Sequence, residues 1–285
     1  MARRGRAIEE GSMPKDIVVR LDGSQDDETL LAHAEPIASQ FGASILALQV
    51  NILPELQGMG YPVSAGLVQD IVEEARAEAR TLRDTLKRRL DRLSVPAEHR
   101  LIELYSPAAG RVVSSEARAA DLYIAPIHHP DAPDAAELAE TVLFNAGRAC
   151  LFVPRTTPQG QYRTILVGWN DSRESTRALA EAMPFLTRAE NVVLCTASEH
   201  SSEAERREPA ADIARHLARY GVNVEVRNLD GWADAGAALL NEAGRSGAQL
   251  IVSGAYGHSR FRQWVLGGVT RTLLNEAPVP VLVAH

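Results

Sequence analysis

The chain has 285 residues, 45% of them hydrophobic and 24% charged, with a formal net charge of −7. This length and balance suit one large or two ordinary globular domains and set aside the disordered and fibrous classes. The negative overall field disfavours a nucleic-acid partner, and no apolar run is long enough to span a bilayer, so no membrane partner is expected either.

Residues 1–13 read as a polar tail without the hydrophobic segment of a secretory signal, with Met1 and Met13 as alternative starts. Structure is predicted to begin with a strand at 16–21, followed by Asp22-Gly23-Ser24. Ser24 with Asp27 three residues on predicts a helix cap, and the apolar spacing of Leu30, Leu31, Ala34, Ile37 and Ala38 carries that helix to Gly42. The apolar run at 43–50 predicts a strand buried on both faces, as in a parallel sheet. Residues 51–66, with Pro54, Gly58, Gly60, Pro62 and Gly66, predict a loop. A long amphipathic helix then runs over 67–93, where Lys87-Arg88-Arg89 is balanced by Glu73, Glu74, Glu78, Asp84 and Asp91 and reads as a solvated face. Strands at 98–104, 121–125 and 149–153 alternate with helices at 106–119 and 137–146. His128, His129, Asp131 and Asp134 lie in a Pro-rich stretch that reads as a turn rather than a metal site. Cys150 and Cys195 both fall within β-like runs, which suits buried thiols in a reducing cytoplasm.

After a linker at 156–162 the same order starts again. Residues 165–172 match 17–24, 191–196 match 44–49, 249–253 match 121–125, and 280–283 match 150–153. The offset falls from 148 (165 minus 17) to 128 (249 minus 121), so the first copy carries about twenty extra residues, most of them within 51–93. Each half alternates strand and helix, and right-handed crossovers make that a doubly wound α/β domain with a five-stranded parallel sheet. The expected organisation is a tail at 1–13, domains at 14–155 and 163–285, and a pseudo-two-fold relation between them.

Ligands of such sheets bind at the carboxyl ends of the strands where the winding reverses, which puts Trp169-Asn170-Asp171 beside the segment from Gly254 to Gly268. That segment reads as strand, glycine loop, helix. Glycine lets backbone approach an anion closely, and the first amides of a helix are unpaired donors at the positive end of a dipole. Its spacing is neither the dinucleotide fingerprint nor a P-loop. Asp171, with Glu174 three residues on, predicts the cap of the next helix.

On these residues the chain resembles the universal stress protein family in its tandem form, across nearly all of 14–285. The motif that carries the resemblance is Gly254, two residues, Gly257, nine residues, Gly267, with the opening Asn170-Asp171-Ser172 loop. The resemblance implies an adenine nucleotide hydrolase-like fold, dimer-type pairing of the two halves and, as in a subset of members, ATP or another adenine nucleotide with its Mg2+. Gly254 and Gly257 would offer amides to the phosphates, Gly267, Gly268, Val269 and Thr270 would form the helix start beneath them, and Arg260 would neutralise phosphate charge. Asn170, with Trp169 beside it, and Ala197 would face the adenine and ribose. Two positions depart from the family pattern: Gly268 stands where nucleotide-binding members have Ser or Thr, and Asn170 stands for Asp. In the first half Pro126, His129 and Glu137-Leu138 replace the glycines, so that copy is expected to bind no nucleotide and to serve as a pseudo-domain.

The functional expectation is a cytoplasmic stress-associated binding protein that senses an adenine nucleotide through its second half, with an unidentified protein partner and further homodimer pairing. Two alternatives remain: an interaction scaffold with both sites degenerate, and a slow ATPase, although His258-Ser259 and Asp171 assemble no base and nucleophile.

Overall fold

The computed structural model describes residues 13–54, 64–105, 109–128, 133–158, 160–198, 209–255 and 268–285. Ten strands form one sheet. The first half contributes β1 (Asp16–Arg20), β2 (Ser44–Leu53), β3 (Ala97–Tyr105), β4 (Leu122–Pro126) and β5 (Ala149–Val153). The second contributes β6 (Thr164–Gly168), β7 (Asn191–Ser198), β8 (Val224–Asp230), β9 (Leu250–Gly254) and β10 (Val281–Ala284). The spatial order is β3-β2-β1-β4-β5-β10-β9-β6-β7-β8, so each half shows the doubly wound order 3-2-1-4-5. Every pairing is parallel except β5 with β10, which run antiparallel with Leu151 opposite Leu282. That seam is the axis of the pseudo-two-fold, and it closes the edge that each half would otherwise expose.

The runs read as buried strands are buried on both faces because helices cover both sides. On one face lie α1 (Asp26–Phe41), α2 (Ala65–Leu90), α5 (Arg173–Leu186) and α6 (Pro209–Arg219), whose apolar residues form one core with Ile17, Val19, Ile165 and Val167. On the other lie α3 (Ala109–Arg118), α4 (Pro133–Ala146), α7 (Ala235–Ser246) and α8 (Gly268–Glu276), packed on Val18, Phe152, Ile251 and Val283. The first core crosses the seam: Phe41 of α1 meets Phe185 of α5 edge to face at 5.1 Å, with the Arg188 guanidinium 4.4 Å above the Phe41 ring. Both thiols are buried as expected, and burial pushes them up, Cys195 to about 12.

The extra length of the first half lies where the offset put it, since α2 has 26 residues and its counterpart α6 has 11. Helix α4 begins at Pro133, inside the stretch read as a turn, and two further departures from the sequence reading have a visible cause. Strand β2 runs on to Leu53, into residues expected to be loop, because β3 pairs with it in register as far as Tyr105. The segment between the halves is also tied down, since Arg155 makes a two-pronged pair with Asp26 of α1, and His33 donates from Nε2 to Thr156 O at 3.1 Å. Tyr162 is buried at its far end.

Candidate functional site

The carboxyl ends of β6 and β9 are adjacent, with Gly168 in register with Ser253, so Asn170 and Gly254 lie side by side where the winding reverses. The loop that leaves β6 is fixed by short-range bonds. Asp171 adopts φ +57, the left-handed state that Gly23 occupies at the matching place in the first half with φ +84. Asp and Asn tolerate that state better than other residues with a side chain. The cap of α5 is therefore not Asp171, as the sequence suggested, but Ser172: its hydroxyl accepts from Ser175 N, and its own N–H donates to the Ser175 hydroxyl. Asn170 Oδ1 accepts from the Ser172 hydroxyl at 2.7 Å, so its carbonyl is engaged within the turn.

Gly254 is required by the fold itself. A Cβ there would lie 2.9 Å from Ser175 Cα and nearer still to Ser175 N and Glu174 C, in the backbone of the first turn of α5. Gly268, the first residue of α8, has none of the described residues within 4 Å of an added Cβ. Val269 packs against the core and Thr270 is buried, so the first turn of α8 is anchored on one side and open at Gly268. No acidic residue stands in that turn. Its first amides lack helical partners, which makes it a place where an anion fits.

Of the residues expected at the site, Asn170, Gly254 and the start of α8 lie at the carboxyl ends of the second half's strands. Trp169 departs from the expectation: its indole is 5% exposed and belongs to the core formed with α5, because Ile165, Val167 and Trp169 alternate onto one face of β6. Its Nε1 is buried without a hydrogen-bond partner among the described residues. Ala197 lies near the end of β7, in register with Leu229. Gly257, Arg260 and Gly267 lie outside the described residues.

The matching crevice of the first half is built differently. It has a volume of about 260 Å3 and is lined by Asp22, Asp26, Asp27, Arg20, Arg155 and Tyr123, among others. Its charges are matched internally, Arg155 with Asp26 and Arg20 with Asp22 at 3.1 Å. Where α8 has no acid in its first turn, α1 has Asp26, Asp27 and Glu28. A second groove of about 670 Å3 lies between α1 and α2, and its wall includes Asp27, Glu28, Glu74 and Glu78, again the wrong sign for phosphate.

The predicted cap of α1 also takes another form. Gln25 stands at the N-cap without a side-chain bond, and Asp27 reaches back to accept from Asp22 N and Gly23 N at 3.1 and 2.9 Å. Burial outweighs those two bonds and raises the Asp27 carboxyl from 3.8 to about 6. An acid whose pKa is higher folded than unfolded holds more protons in the folded state, so its contribution to stability falls as pH rises from about 4 to about 6 and is constant above. Urea unfolding across that window should show wild type losing stability relative to Asp27→Asn as pH rises. A pH-independent difference contradicts the assignment.

Comparison with known proteins adds a family match over the second half. Residues 161–285 match the sequence model of the universal stress protein family. No curated protein sequence matches the chain. Over the whole chain the fold is that of a universal stress protein from Archaeoglobus fulgidus DSM 4304, with a TM-score of 0.74 at 15% identity, covering 94% of this chain and 95% of that one. It is also that of a functionally unknown protein from Pseudomonas aeruginosa PAO1, with a TM-score of 0.58 at 17% identity, covering 96% and 93%. Over residues 161–285 the chain therefore matches the universal stress protein family, and its two doubly wound halves share one sheet.

Proposed function

We propose that this stress-associated protein binds one adenine nucleotide, ATP with its Mg2+ among the candidates, at the carboxyl ends of β6 and β9, and that the first half binds none. The observation that carries this reading is the contrast between the halves. At the second, the first turn of α8 starts on an open Gly268 and holds no carboxylate. At the first, three carboxylates and Pro126 stand in the matching crevice, where phosphate would meet like charge and one amide fewer. The phosphates would rest on the first amides of α8 and on the Gly254 to Gly268 connection, with Asn170 on the ribose side. Two buried thiols support action in the cytoplasm.

A second reading is favoured by Gly254. Its glycine is explained by the backbone of α5 alone, so the motif could persist in a scaffold that holds no ligand. Calorimetric titration of the full chain with ATP separates the two readings: saturable binding supports the first, and its absence at millimolar nucleotide supports the second.

A further inference from the structure

The groove of about 670 Å3 between α1 and α2 has no part in the nucleotide reading. One of its walls comes from the added length of α2. Aligned from their C-terminal ends, α2 and the described part of α6 match over residues 80–90 and 209–219, so residues 65–79 are the added turns. Those turns bring Glu74, Ala77 and Glu78 to the groove, and the turns after them bring Leu82, Leu86 and Arg89. Steps of three and four residues put all six on one face of the helix.

That face is divided along its length. Toward one end Leu82 and the buried Leu86, with the buried Leu31 of α1 across from them, make an apolar floor. Gly23, at φ +84, brings the loop before α1 so near that an added Cβ would lie 2.9 Å from Leu82 Cδ1. The floor ends at Arg89, whose Nε donates to both oxygens of Glu28 at 2.8 and 2.9 Å. Toward the other end Glu74 and Glu78 stand one turn apart, about 6 Å along the axis. Their neighbours are paired, Glu73 with Arg80 and Glu103 with Arg76, but Glu74 and Glu78 have no ion-pair partner among the described residues.

The balance of charge and hydrogen bonding favours one kind of ligand. Among the described lining residues four carboxyl groups, Asp27, Glu28, Glu74 and Glu78, face one cation, and that cation is already paired with Glu28. The Thr81 and Thr85 hydroxyls are spent within the helix, donating to Ala77 O and Thr81 O. We infer that this groove binds a small organic cation, an ammonium group carried on an apolar body. The ammonium would rest between Glu74 and Glu78, and the body would lie on Leu82, Leu86 and Leu31. Glu78 and Leu86 are eight residues apart, which sets the length of the ligand at about 12 Å. The volume falls within the range of small-molecule sites, about 300–1,000 Å3. Both parts of the ligand are needed, since exposed carboxylates alone hold a cation weakly in water. The groove lies in the first half, so this inference stands apart from the nucleotide reading.

Calorimetric titration of the full chain, without nucleotide, tests it with three probes of one shape: phenylbutylammonium, phenylbutanol and phenylbutyrate. The ammonium is expected to saturate at one per chain, the alcohol to bind about tenfold more weakly, and the carboxylate not to saturate. The double variant Glu74→Gln, Glu78→Gln should bind the ammonium as weakly as the alcohol and leave the alcohol unchanged. Ala77→Trp, at an exposed helical position, should fill the groove and abolish both, with circular dichroism and melting as in wild type. An ammonium that fails to saturate by about 10 mM, an alcohol that binds equally well, or either variant binding as wild type does would overturn the inference. Binding that appears only after removal of residues 1–12, with Arg3, Arg4 and Arg6, would also overturn it, in favour of the tail as occupant.

Discussion

Gly254→Ala is expected to destabilise the chain by about 3 kcal/mol in urea unfolding without nucleotide. The added methyl would sit within 3 Å of Ser175 Cα and nearer still to the adjoining backbone atoms. A flexible side chain can swing away from such a contact, but a capped helix start cannot. To make room, α5 must move as a body, and that breaks the Ser172–Ser175 capping box and opens the core where Ala178 and Leu179 lie. Overpacking of a core usually costs 1–3 kcal/mol, and a collision of backbone with backbone belongs at the upper end of that range. A loss below about 0.5 kcal/mol would show that β9 and α5 are looser than described. The same substitution is a poor probe of binding, because it disturbs the fold first.

Gly268→Asp makes the opposite test. None of the described residues lies within 4 Å of the added Cβ, and the residue opens α8, where a carboxylate meets the positive end of the helix and stabilises by about 0.3–1 kcal/mol. The variant should therefore unfold at the same urea concentration as wild type or slightly higher. Nucleotide should meet a fixed negative charge at the amides that would hold its phosphates, and its affinity should fall by about a hundredfold, equivalent to about 2.8 kcal/mol. The two glycines of one motif are thus assigned to separate tasks, Gly254 to the approach of α5 and Gly268 to the ligand. A Gly268→Asp chain that unfolds early, with binding lost in proportion, would undo that division.

Most of the architecture is legible in the chain because buried parallel strands read as nearly continuous apolar runs, as in 165–168 and 250–253, and because the second half repeats the first. The extra residues of the first half appear in the sequence as a change of offset, and fifteen of them are the difference in length between α2 and the described part of α6. The misreadings are local. Asp171 looks like a cap, but its positive φ moves that role to Ser172, and the tolerance of Asp for that state is too weak a signal to locate a left-handed residue. Trp169 adjoins Asn170 in the sequence, but the period of two through Ile165 and Val167 turns it to the core. Other contacts are invisible in principle. Arg155 and Asp26 are 129 residues apart, and the reason for Gly254 lies in a helix that begins some eighty residues before it.

The central claim is one nucleotide site per chain, in the second half. Isothermal titration of the full chain with ATP and Mg2+ tests it most directly, with Gly268→Asp as the control of unchanged fold. The account predicts saturation at one nucleotide per chain for wild type and no saturation for the variant over the same concentrations. Two nucleotides per chain, equal binding by both proteins, or no heat at millimolar ATP would contradict it.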